Sequence, residues 1–275
     1  MKKDIASFNL SFLRLLLVCC FLLSAASLQG DDAEGIQYRH EAREEPRPVH
    51  VHILTIDLYD PALELHVEAA LPPEEGEGIA VLTDPFALVE RGEFDAAINA
   101  NPWSMVDGSR NYLEGRSAYR LGWIASEGET VSDPRGLANF WVDEDGEAFI
   151  GNVSSPVDDA VLGIEGFHRI VENGEILPEE GTSEAPRTAL GLDEEKRLLT
   201  LVVVDGRMKS YSEGLSHREL AKLMRELGGR DAINLDGGGS SIMIKRTNDE
   251  FERKNRGIYG YRRPLPVLFG VRKTE

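Results

Sequence analysis

Three consecutive glycines follow a short apolar segment, residues 232–235, in the second half of this 275-residue chain. Glycine adopts positive φ angles and lets a ligand approach the main chain closely, but it costs chain entropy on folding. The surrounding residues, 234–241 (NLDGGGSS), also carry an amide, a carboxylate and two hydroxyl groups. We therefore predict a turn at a strand end, where main-chain N–H groups and Asp236 bind an anion or a sugar hydroxyl. A flexible tight turn is the structural alternative.

The clearest helix signal of the chain lies just before this strand. Ser216 and Glu219 have the spacing of a capping box, and Leu215 with Leu220 has that of a hydrophobic staple. Apolar residues at helical spacing line one face, and a pair of glycines, 228–229, follows them. The pattern predicts an amphipathic helix that ends shortly before the strand and the glycine turn.

A weaker copy of this helix–strand arrangement occurs earlier in the chain. Asp84 followed by Pro85 predicts a helix start and Gly92 predicts its end. The next residues, 95–99 (DAAIN), resemble 231–234 (DAIN), and this alignment places Asn101 opposite Asp236. Two such units side by side would deliver polar strand ends to one cleft, where ligands commonly bind in sheets of this kind.

Most of the remaining chain has the patterns of strands. Alternating or β-branched runs occupy residues 50–58, 63–69, 121–125, 139–142, 147–150, 161–171, 188–192, 198–204, 242–244 and 264–271. Because strands outnumber helices, the predicted fold class is α+β, with mixed, strand-rich sheets and a few helices in a single domain.

The first thirty residues have the order of a secretory signal peptide. Basic residues precede an uncharged apolar stretch, 15–23, and small residues follow at 24–27. An uncleaved membrane anchor is the alternative, although the apolar stretch is shorter than a membrane-spanning helix. We predict a charged linker at residues 31–48 and the folded domain at residues 49–275. The expected location is extracytoplasmic, periplasmic or secreted, without a stable membrane span after cleavage.

The cysteines and the charge restrict the fold and its partners. Both cysteines, Cys19 and Cys20, lie in the predicted signal peptide, so the mature chain must be stabilised by its core. A domain of about 240 residues suffices, because it buries about 70% of its unfolded surface. The net charge is −18, and residues 1–30 contain three basic residues and one acidic residue, which leaves −20. This charge argues against nucleic acid as a partner; the oligomeric state stays open.

The sequence contains no convincing metal site. His50, His52 and His66 lie on or near predicted strands, but no nearby acidic residue completes a zinc-binding set. No dense Asp-x-Asp loop predicts a calcium site, although the acidic composition leaves room for incidental calcium. We predict no metal site and no cofactor.

Four segments of the second half resemble the phosphodiester glycosidase family. They are residues 186–191 (PRTALG), 203–207 (VVDGR), 214–215 (GL) and 231–241 (DAINLDGGGSS). Residues 97–99 (AIN) and 263–266 (RPLP) are similar to an earlier strand and a closing segment of that family, so the resemblance covers about residues 95–272. The sequence departs from the family at residues 100–103 (ANPW) and at Val267. The family includes an enzyme that removes N-acetylglucosamine from a phosphodiester, and some bacterial members are linked to exopolysaccharide.

The resemblance implies hydrolysis of the glycosidic bond of a sugar-1-phosphodiester, carried by a small molecule or a glycan. It suggests Asp236 as base or nucleophile and Asp205 as a second carboxylate. Arg187 is the candidate for the phosphate, because a planar guanidinium binds two phosphate oxygens at once. The predicted substrate-binding residues are Arg187, Thr188, Asn99, Asn234, Gly237, Gly238, Gly239 and Ser240.

Structural alternatives accompany these assignments. Arg187 could form a structural salt bridge, Asp205 an ordinary turn, and Asn99 and Asn234 satisfied strand-end amides. Trp103 is a candidate for stacking on a sugar, although large aromatic side chains mostly belong to cores. Two other functions also stay open: a non-catalytic extracytoplasmic glycan-binding protein, and a metal-dependent phosphodiesterase that cleaves the P–O bond.

Overall fold

The structure is a computed structural model, and it describes residues 35–76, 78–177 and 183–274. The predicted signal peptide, 1–30, lies outside the described residues. The helices are α1 (Pro85–Arg91) and α2 (His217–Glu226). The strands are β1 (Ile36–Arg43), β2 (Val49–Asp57), β3 (Leu63–Ala69), β4 (Ala80–Val81), β5 (Ala96–Asn99), β6 (Trp103–Met105), β7 (Ser117–Arg120), β8 (Ile124–Ser126), β9 (Glu129–Ser132), β10 (Ala138–Asp143), β11 (Ala148–Asn152), β12 (Ala160–Glu165), β13 (His168–Glu172), β14 (Glu175–Ile176), β15 (Arg187–Leu192), β16 (Leu198–Val204), β17 (Asp231–Asn234), β18 (Met243–Thr247), β19 (Glu250–Arg253) and β20 (Val267–Lys273).

The described strands form four sheets. A seven-stranded sheet has the order β1-β2-β16-β15-β17-β13-β14, and a five-stranded sheet has the order β19-β18-β5-β20-β3. A second five-stranded sheet, β11-β10-β12-β8-β9, and a three-stranded sheet, β4-β7-β6, complete the set. The strand-rich prediction is confirmed, but the sheets are not mixed, because neighbouring described strands pair antiparallel throughout.

The segment predicted as a charged linker contains a strand. β1 pairs with β2 over its whole length, from Ile36 opposite Ile56 to Arg43 opposite Val49. Ile36 is the only fully buried residue of β1, since this strand lies at the edge of the seven-stranded sheet. An edge strand with one neighbour needs few apolar side chains, and its charged residues discourage pairing with other chains. This composition explains why the sequence reads as a linker.

The largest core cluster lies where the three larger sheets meet. It contains apolar residues of each sheet, including Leu190, Phe140 and Phe269. The two aromatic rings pack with their centroids 5.4 Å apart. One face of each sheet is therefore buried against the others, and this packing determines where the strand ends meet.

Both helices begin where the sequence predicts. Asp84 caps α1 by accepting a hydrogen bond from Phe86 N, and Ser216 and Glu219 form the predicted capping box of α2. Helix α2 buries four apolar side chains, which join a core cluster with residues of the seven-stranded sheet: Leu220, Ala221, Leu223 and Met224. Burial of one such Leu or Met side chain contributes about 1.5–3 kcal/mol. In the described ranges, neither helix has the length and apolar character needed to cross a membrane.

Candidate functional site

The two similar helix–strand units meet in space, although their strands lie in different sheets. β5 belongs to the sheet that contains β20, whereas β17 belongs to the seven-stranded sheet. Just beyond the two strand ends, the main-chain N–H of Asp236 donates to Ala100 O at 3.0 Å. The side-chain amide of Asn99 donates to Asp236 O at 2.5 Å. The predicted convergence is therefore present, but it occurs at a junction of two sheets rather than along one sheet.

Asn99 supports the main chain of Asp236 from the protein interior. It is 1% exposed, and its Oδ1 accepts hydrogen bonds from Thr188 Oγ1 at 2.8 Å and from Ile242 N at 3.1 Å. Thr188 is fully buried and also contacts Ser241 Oγ at 3.3 Å. The contacts of Asn99 and Thr188 hold the strand ends together, and their predicted role in binding substrate stays a prediction.

The side chain of Asp236 lines an open cavity of about 340 Å³. Its other lining residues are Trp103, Ser104, Met105, Gly108, Ser109, Arg110, Tyr112, Ser240 and Arg263. Burial raises the pKa of Asp236 to about 6, although Ser240, the Arg263 charge, the Gly237 N–H and Trp103 act in the opposite direction. A carboxyl group with a pKa near neutrality can accept or donate a proton under physiological conditions.

Arg263 provides the positive charge beside Asp236. Its guanidinium lies 4.1 Å from the centroid of the Tyr112 ring and approaches Ser240 Oγ at 3.5 Å. Trp103 Nε1 donates to the same hydroxyl at 3.3 Å, and its ring packs edge-on against Tyr112. The buried Arg263 Nε has no hydrogen-bond partner among the described residues. Its guanidinium is therefore held in place largely by packing.

A second cavity, of about 440 Å³, adjoins the first and shares Tyr112 and Arg263 with it. Its remaining lining residues are Phe167, His168, Ala185, Arg187, Arg207, His217, Asn234, Leu235, Gly237, Gly238 and Gly239. The predicted glycines, Arg187 and Asn234 therefore lie in the second cavity, and Asp236 with Ser240 lies in the first. Arg263 connects the two.

The glycine turn allows two arginines to pack against the main chain. A Cβ atom on Gly239 would lie 2.2 Å from Arg263 Nη2, and one on Gly238 would lie 3.2 Å from Arg207 Nη1. Gly238 also has a φ of +62°, which favours glycine. The bare main chain is therefore needed, as predicted, but it accommodates side-chain cations of the protein itself.

The predicted main-chain anion site differs from the observed geometry. The N–H of Gly238 donates to Pro186 O at 2.9 Å, and the N–H groups of Ser240 and Ser241 donate to Gly237 O and Gly238 O within the turn. The Gly237 N–H contacts the Asp236 carboxylate. The N–H groups of Gly238, Ser240 and Ser241 are therefore occupied within the protein, and a main-chain contribution to anion binding from the rest of the turn stays a prediction.

Arg187 and Asn234 lie at the wall of the second cavity. The Arg187 guanidinium donates to Leu215 O at 2.9 Å and to Ser183 O at 2.8 Å, and it contacts His217 Nε2. These bonds fix the side chain, and its binding of phosphate stays a prediction. Burial, with Arg187 and His168 nearby, lowers the pKa of His217 to about 4, so this ring is neutral at pH 7. Asn234 is 3% exposed, and its buried Oδ1 lacks a partner among the described residues.

Asp205 lies in the interior rather than in either cavity lining. It is fully buried, and it accepts hydrogen bonds from His52 at 3.3 Å and from the main-chain N–H groups of Arg256 at 2.9 Å and Gly257 at 2.8 Å. Burial alone would raise the pKa of Asp205, but these bonds outweigh it and hold the pKa at about 2. The structure therefore does not place Asp205 as a second carboxylate beside a substrate, and its contacts anchor the loop at 255–257.

We expect Asp205→Asn to lower the free energy of unfolding at pH 7 by about 2 kcal/mol or more. The depressed pKa contributes stability above the unfolded value of 3.8, and this contribution is lost as pH falls toward 2. The deficit of the variant, measured by urea unfolding, should therefore shrink between about pH 5 and pH 2. Asp158→Asn, at an exposed position, is the control. Equal stability of Asp205→Asn and wild type at pH 7 would contradict this assignment.

The histidines considered for a metal site have other partners. His52 contacts Asp205 and Tyr38, and His50 contacts His40. His66 contacts Glu68. Across the part of the chain that the structure describes, no group of three or more His, Cys, Asp or Glu residues is arranged to hold a metal ion. The expected absence of a cofactor stays a prediction.

Known proteins match the part of the chain that contains the candidate site. A family model described as phosphodiester glycosidase matches residues 92–272. N-acetylglucosamine-1-phosphodiester alpha-N-acetylglucosaminidase of Mus musculus is 32% identical over 149 residues, which are 45% of this chain and 28% of that protein. The chain therefore spans well under half of that relative.

Two solved structures share the fold. A hypothetical protein from Synechocystis has a TM-score of 0.65 at 15% identity, with 87% of this chain and 62% of that chain covered. The zebrafish N-acetylglucosamine-1-phosphodiester alpha-N-acetylglucosaminidase catalytic domain, auto-inhibited by its pro-peptide, has a TM-score of 0.62 at 20% identity, with 87% and 82% covered. Because the family model matches more than half of its residues, this chain belongs to the phosphodiester glycosidase family.

Proposed function

We propose that this protein is a hydrolase that cleaves the glycosidic bond of a sugar-1-phosphodiester. The observation that carries the proposal is that Asp236 lines an open, aromatic-lined cavity together with Arg263, whose positive charge acts on the Asp236 carboxylate. Family membership supports the reaction class. The printed name of the mouse relative supports an N-acetylglucosamine 1-phosphodiester as the first substrate to test.

Asp236 acts as the base that activates water. The water oxygen attacks the anomeric carbon while its proton passes to the Asp236 carboxylate, and the bond from the anomeric carbon to the phosphate oxygen breaks. A phosphate monoester leaves with the bonding electron pair, and the water oxygen becomes the anomeric hydroxyl. The pKa of about 6 leaves most of the carboxylate ionised at pH 7, as a base requires.

Arg263 stabilises the phosphate monoester that leaves. Glycosidases ordinarily protonate their leaving group with a second carboxyl group. Among the described residues that line the two cavities, Asp236 is the only carboxylate. A phosphate monoester is a good leaving group without protonation, so a guanidinium that compensates its growing charge can replace the missing acid. One carboxylate and one arginine therefore suffice for this substrate class.

The proposal is tested with the methyl phosphodiester of N-acetyl-α-glucosamine in ¹⁸O-labelled water, with ¹³C and ³¹P NMR detection. We expect the label in the anomeric hydroxyl and unlabelled methyl phosphate. Since Asp236 activates water directly, the first product should be the β anomer. Turnover should be unaffected by EDTA.

Two outcomes of the same experiment would replace the proposal. The label in phosphate, with activity lost on chelation, would indicate a metal-dependent phosphodiesterase that cleaves the P–O bond. Saturable binding of the diester without any product would indicate a non-catalytic glycan-binding protein. The α anomer as first product would retain the reaction class but overturn the role of Asp236 as base.

We expect Gly239→Ala to lower kcat/KM for the methyl diester by about tenfold or more, because small displacements of catalytic groups are costly. The added methyl group would meet Arg263 Nη2, so the guanidinium must move. The free energy of unfolding of the Gly239→Ala variant should change by less than about 1 kcal/mol, since the end of the flexible Arg263 side chain can move away from the added methyl group. In the double variant with Arg263→Gln, the Gly239→Ala change should cost no further activity. Independent, additive losses would contradict this explanation.

An extracytoplasmic location is also part of the proposal. It is supported by the signal-peptide pattern of residues 1–30. N-terminal sequencing of the protein recovered from an extracytoplasmic fraction should find a start near residue 28–31, close after the small residues of the predicted cleavage region. Recovery of the full-length chain from the cytoplasm alone would contradict it.

A further inference from the structure

Two arginine side chains in the cavity walls form no hydrogen bond or ion pair with the described residues. Arg110 lines the first cavity and Arg207 lines the second, and both side chains are exposed. By contrast, eleven other described arginines lie within 4.0 Å of a carboxylate: Arg39, Arg43, Arg47, Arg91, Arg116, Arg169, Arg197, Arg230, Arg246, Arg262 and Arg272. In a chain with 48 acidic and 30 basic residues, arginines are easily paired. Arg135, Arg218 and Arg225 are also exposed without a carboxylate of the described residues within 4.0 Å, but they lie outside both cavities. Arg110 and Arg207 are distinguished by their place in the cavity linings.

The charge around the cavities exceeds the need of one phosphodiester. The two linings contain four arginines and, among the described residues, the single carboxylate of Asp236. A phosphodiester at the point of cleavage carries one negative charge, and Arg263, which borders both cavities, lies beside Asp236 to receive it. Arg110 and Arg207 stay uncompensated, one in each cavity. Additional anionic groups of a ligand on both sides of the cleaved bond would pair with them.

An exposed aromatic turn lies next to the second cavity. Tyr259 is 81% exposed and has a φ of +51°, a conformation that is costly for a side chain of this size. Its N–H contacts the sulfur of Met208, which directly follows Arg207. Tyr261, 50% exposed, donates to Tyr112 O at the wall shared by the two cavities. Exposed tyrosine faces beside a cleft can pack against sugar rings outside the reacting unit.

From these observations, which rest on the proposed function, we infer that the substrate is a polyanionic glycan whose cleaved linkage lies between charged units. Arg110 binds an anionic group on the first-cavity side, Arg207 binds one on the second-cavity side, and the reaction is hydrolysis at Asp236. The ligand class is a chain of sugars joined by phosphodiesters or bearing comparable acidic groups. A terminal sugar on a singly charged diester would leave both arginines unused.

The test compares a linear trimer of N-acetylglucosamine 1-phosphate units with the methyl diester of the same sugar. For wild type, we expect kcat/KM to favour the trimer by about tenfold or more. Arg110→Gln and Arg207→Gln should each lower this ratio by about three- to tenfold. Arg225→Gln removes an exposed arginine outside both cavities and should keep the wild-type ratio. Equilibrium binding of both probes to the Asp236→Asn protein gives the same ratios without turnover.

The possible outcomes separate this inference from the proposed function. Cleavage of the methyl diester with a ratio near one would retain the proposed function and overturn the polyanionic substrate. A high ratio that neither Arg110→Gln nor Arg207→Gln lowers would overturn the assignment of the two arginines. A ratio that falls equally in Arg225→Gln would show a general effect of protein charge and would also overturn it. Failure of both probes to bind and to react would reject both proposals for this sugar.

Discussion

Replacing Asp236 with asparagine is expected to lower kcat/KM by about 10²–10⁴-fold, the usual contribution of a general base. We expect the stability of the fold to be retained in this variant. The pKa of Asp236 is raised from 3.8 to about 6, so folding favours the protonated carboxyl group and stability is lost as pH rises between those values. Asparagine does not ionise and avoids this loss. We therefore expect the variant to be at least as stable as wild type at pH 7.

The measurement combines kinetics on the methyl diester with thermal unfolding at pH 4 and pH 7. A drop in kcat/KM together with an unchanged or raised Tm at pH 7 is the signature of a functional residue that costs stability. Asp249→Asn, at an exposed position outside the two cavities, is the matched control. Full activity of Asp236→Asn would remove the central residue of the proposed mechanism.

Replacing Arg263 with glutamine is expected to lower kcat/KM by about 10²–10³-fold, because the variant cannot compensate the charge of the leaving phosphate. It should also change the pH dependence. The positive charge of Arg263 opposes the burial that raises the pKa of Asp236, so its removal should raise that pKa above the wild-type value of about 6. The acidic limb of the kcat/KM profile should therefore move to higher pH.

The neighbouring Arg262 offers a close control for this prediction. It is exposed and paired with Asp84 rather than with a residue of the cavities. Arg262→Gln should keep the wild-type profile, with activity rising through about pH 6. If Arg263→Gln reduced activity but left the acidic limb in place, the proposed effect of the Arg263 charge on the pKa of Asp236 would be wrong.

Local patterns in the sequence predicted the parts of the site that depend on neighbouring residues. The capping box of α2, the strand before residues 234–241 and the position of Asp236 at its exit all follow from short-range rules. The similarity of residues 95–99 to 231–234 also predicted that these two strand ends meet. It did not reveal that they belong to different sheets, because strand order depends on contacts far apart in the chain.

Burial separated residues that look alike in the sequence. Asp205 and Asp236 each follow an apolar strand and precede glycine. Only the folded chain places His52 and the N–H groups of Arg256 and Gly257 around Asp205, while Asp236 faces a cavity. Arg263 lies 27 residues after Asp236 in the sequence, so short-range patterns did not identify it as a neighbour of Asp236. It entered the sequence analysis only as part of a family motif. A net charge of −18 gives no sign of a local cluster of arginines.

The junction at Asp236 also has a mechanical consequence. Hydrogen bonds from Asn99 to Asp236 O and from Asp236 N to Ala100 O connect the seven-stranded sheet to the sheet that contains β5. A molecule bound at Asp236 would therefore stabilise both sheets against separation from each other. Amide hydrogen exchange should slow in β5 and in β17 together on occupancy, and breathing motions of the two sheets would become one concerted opening.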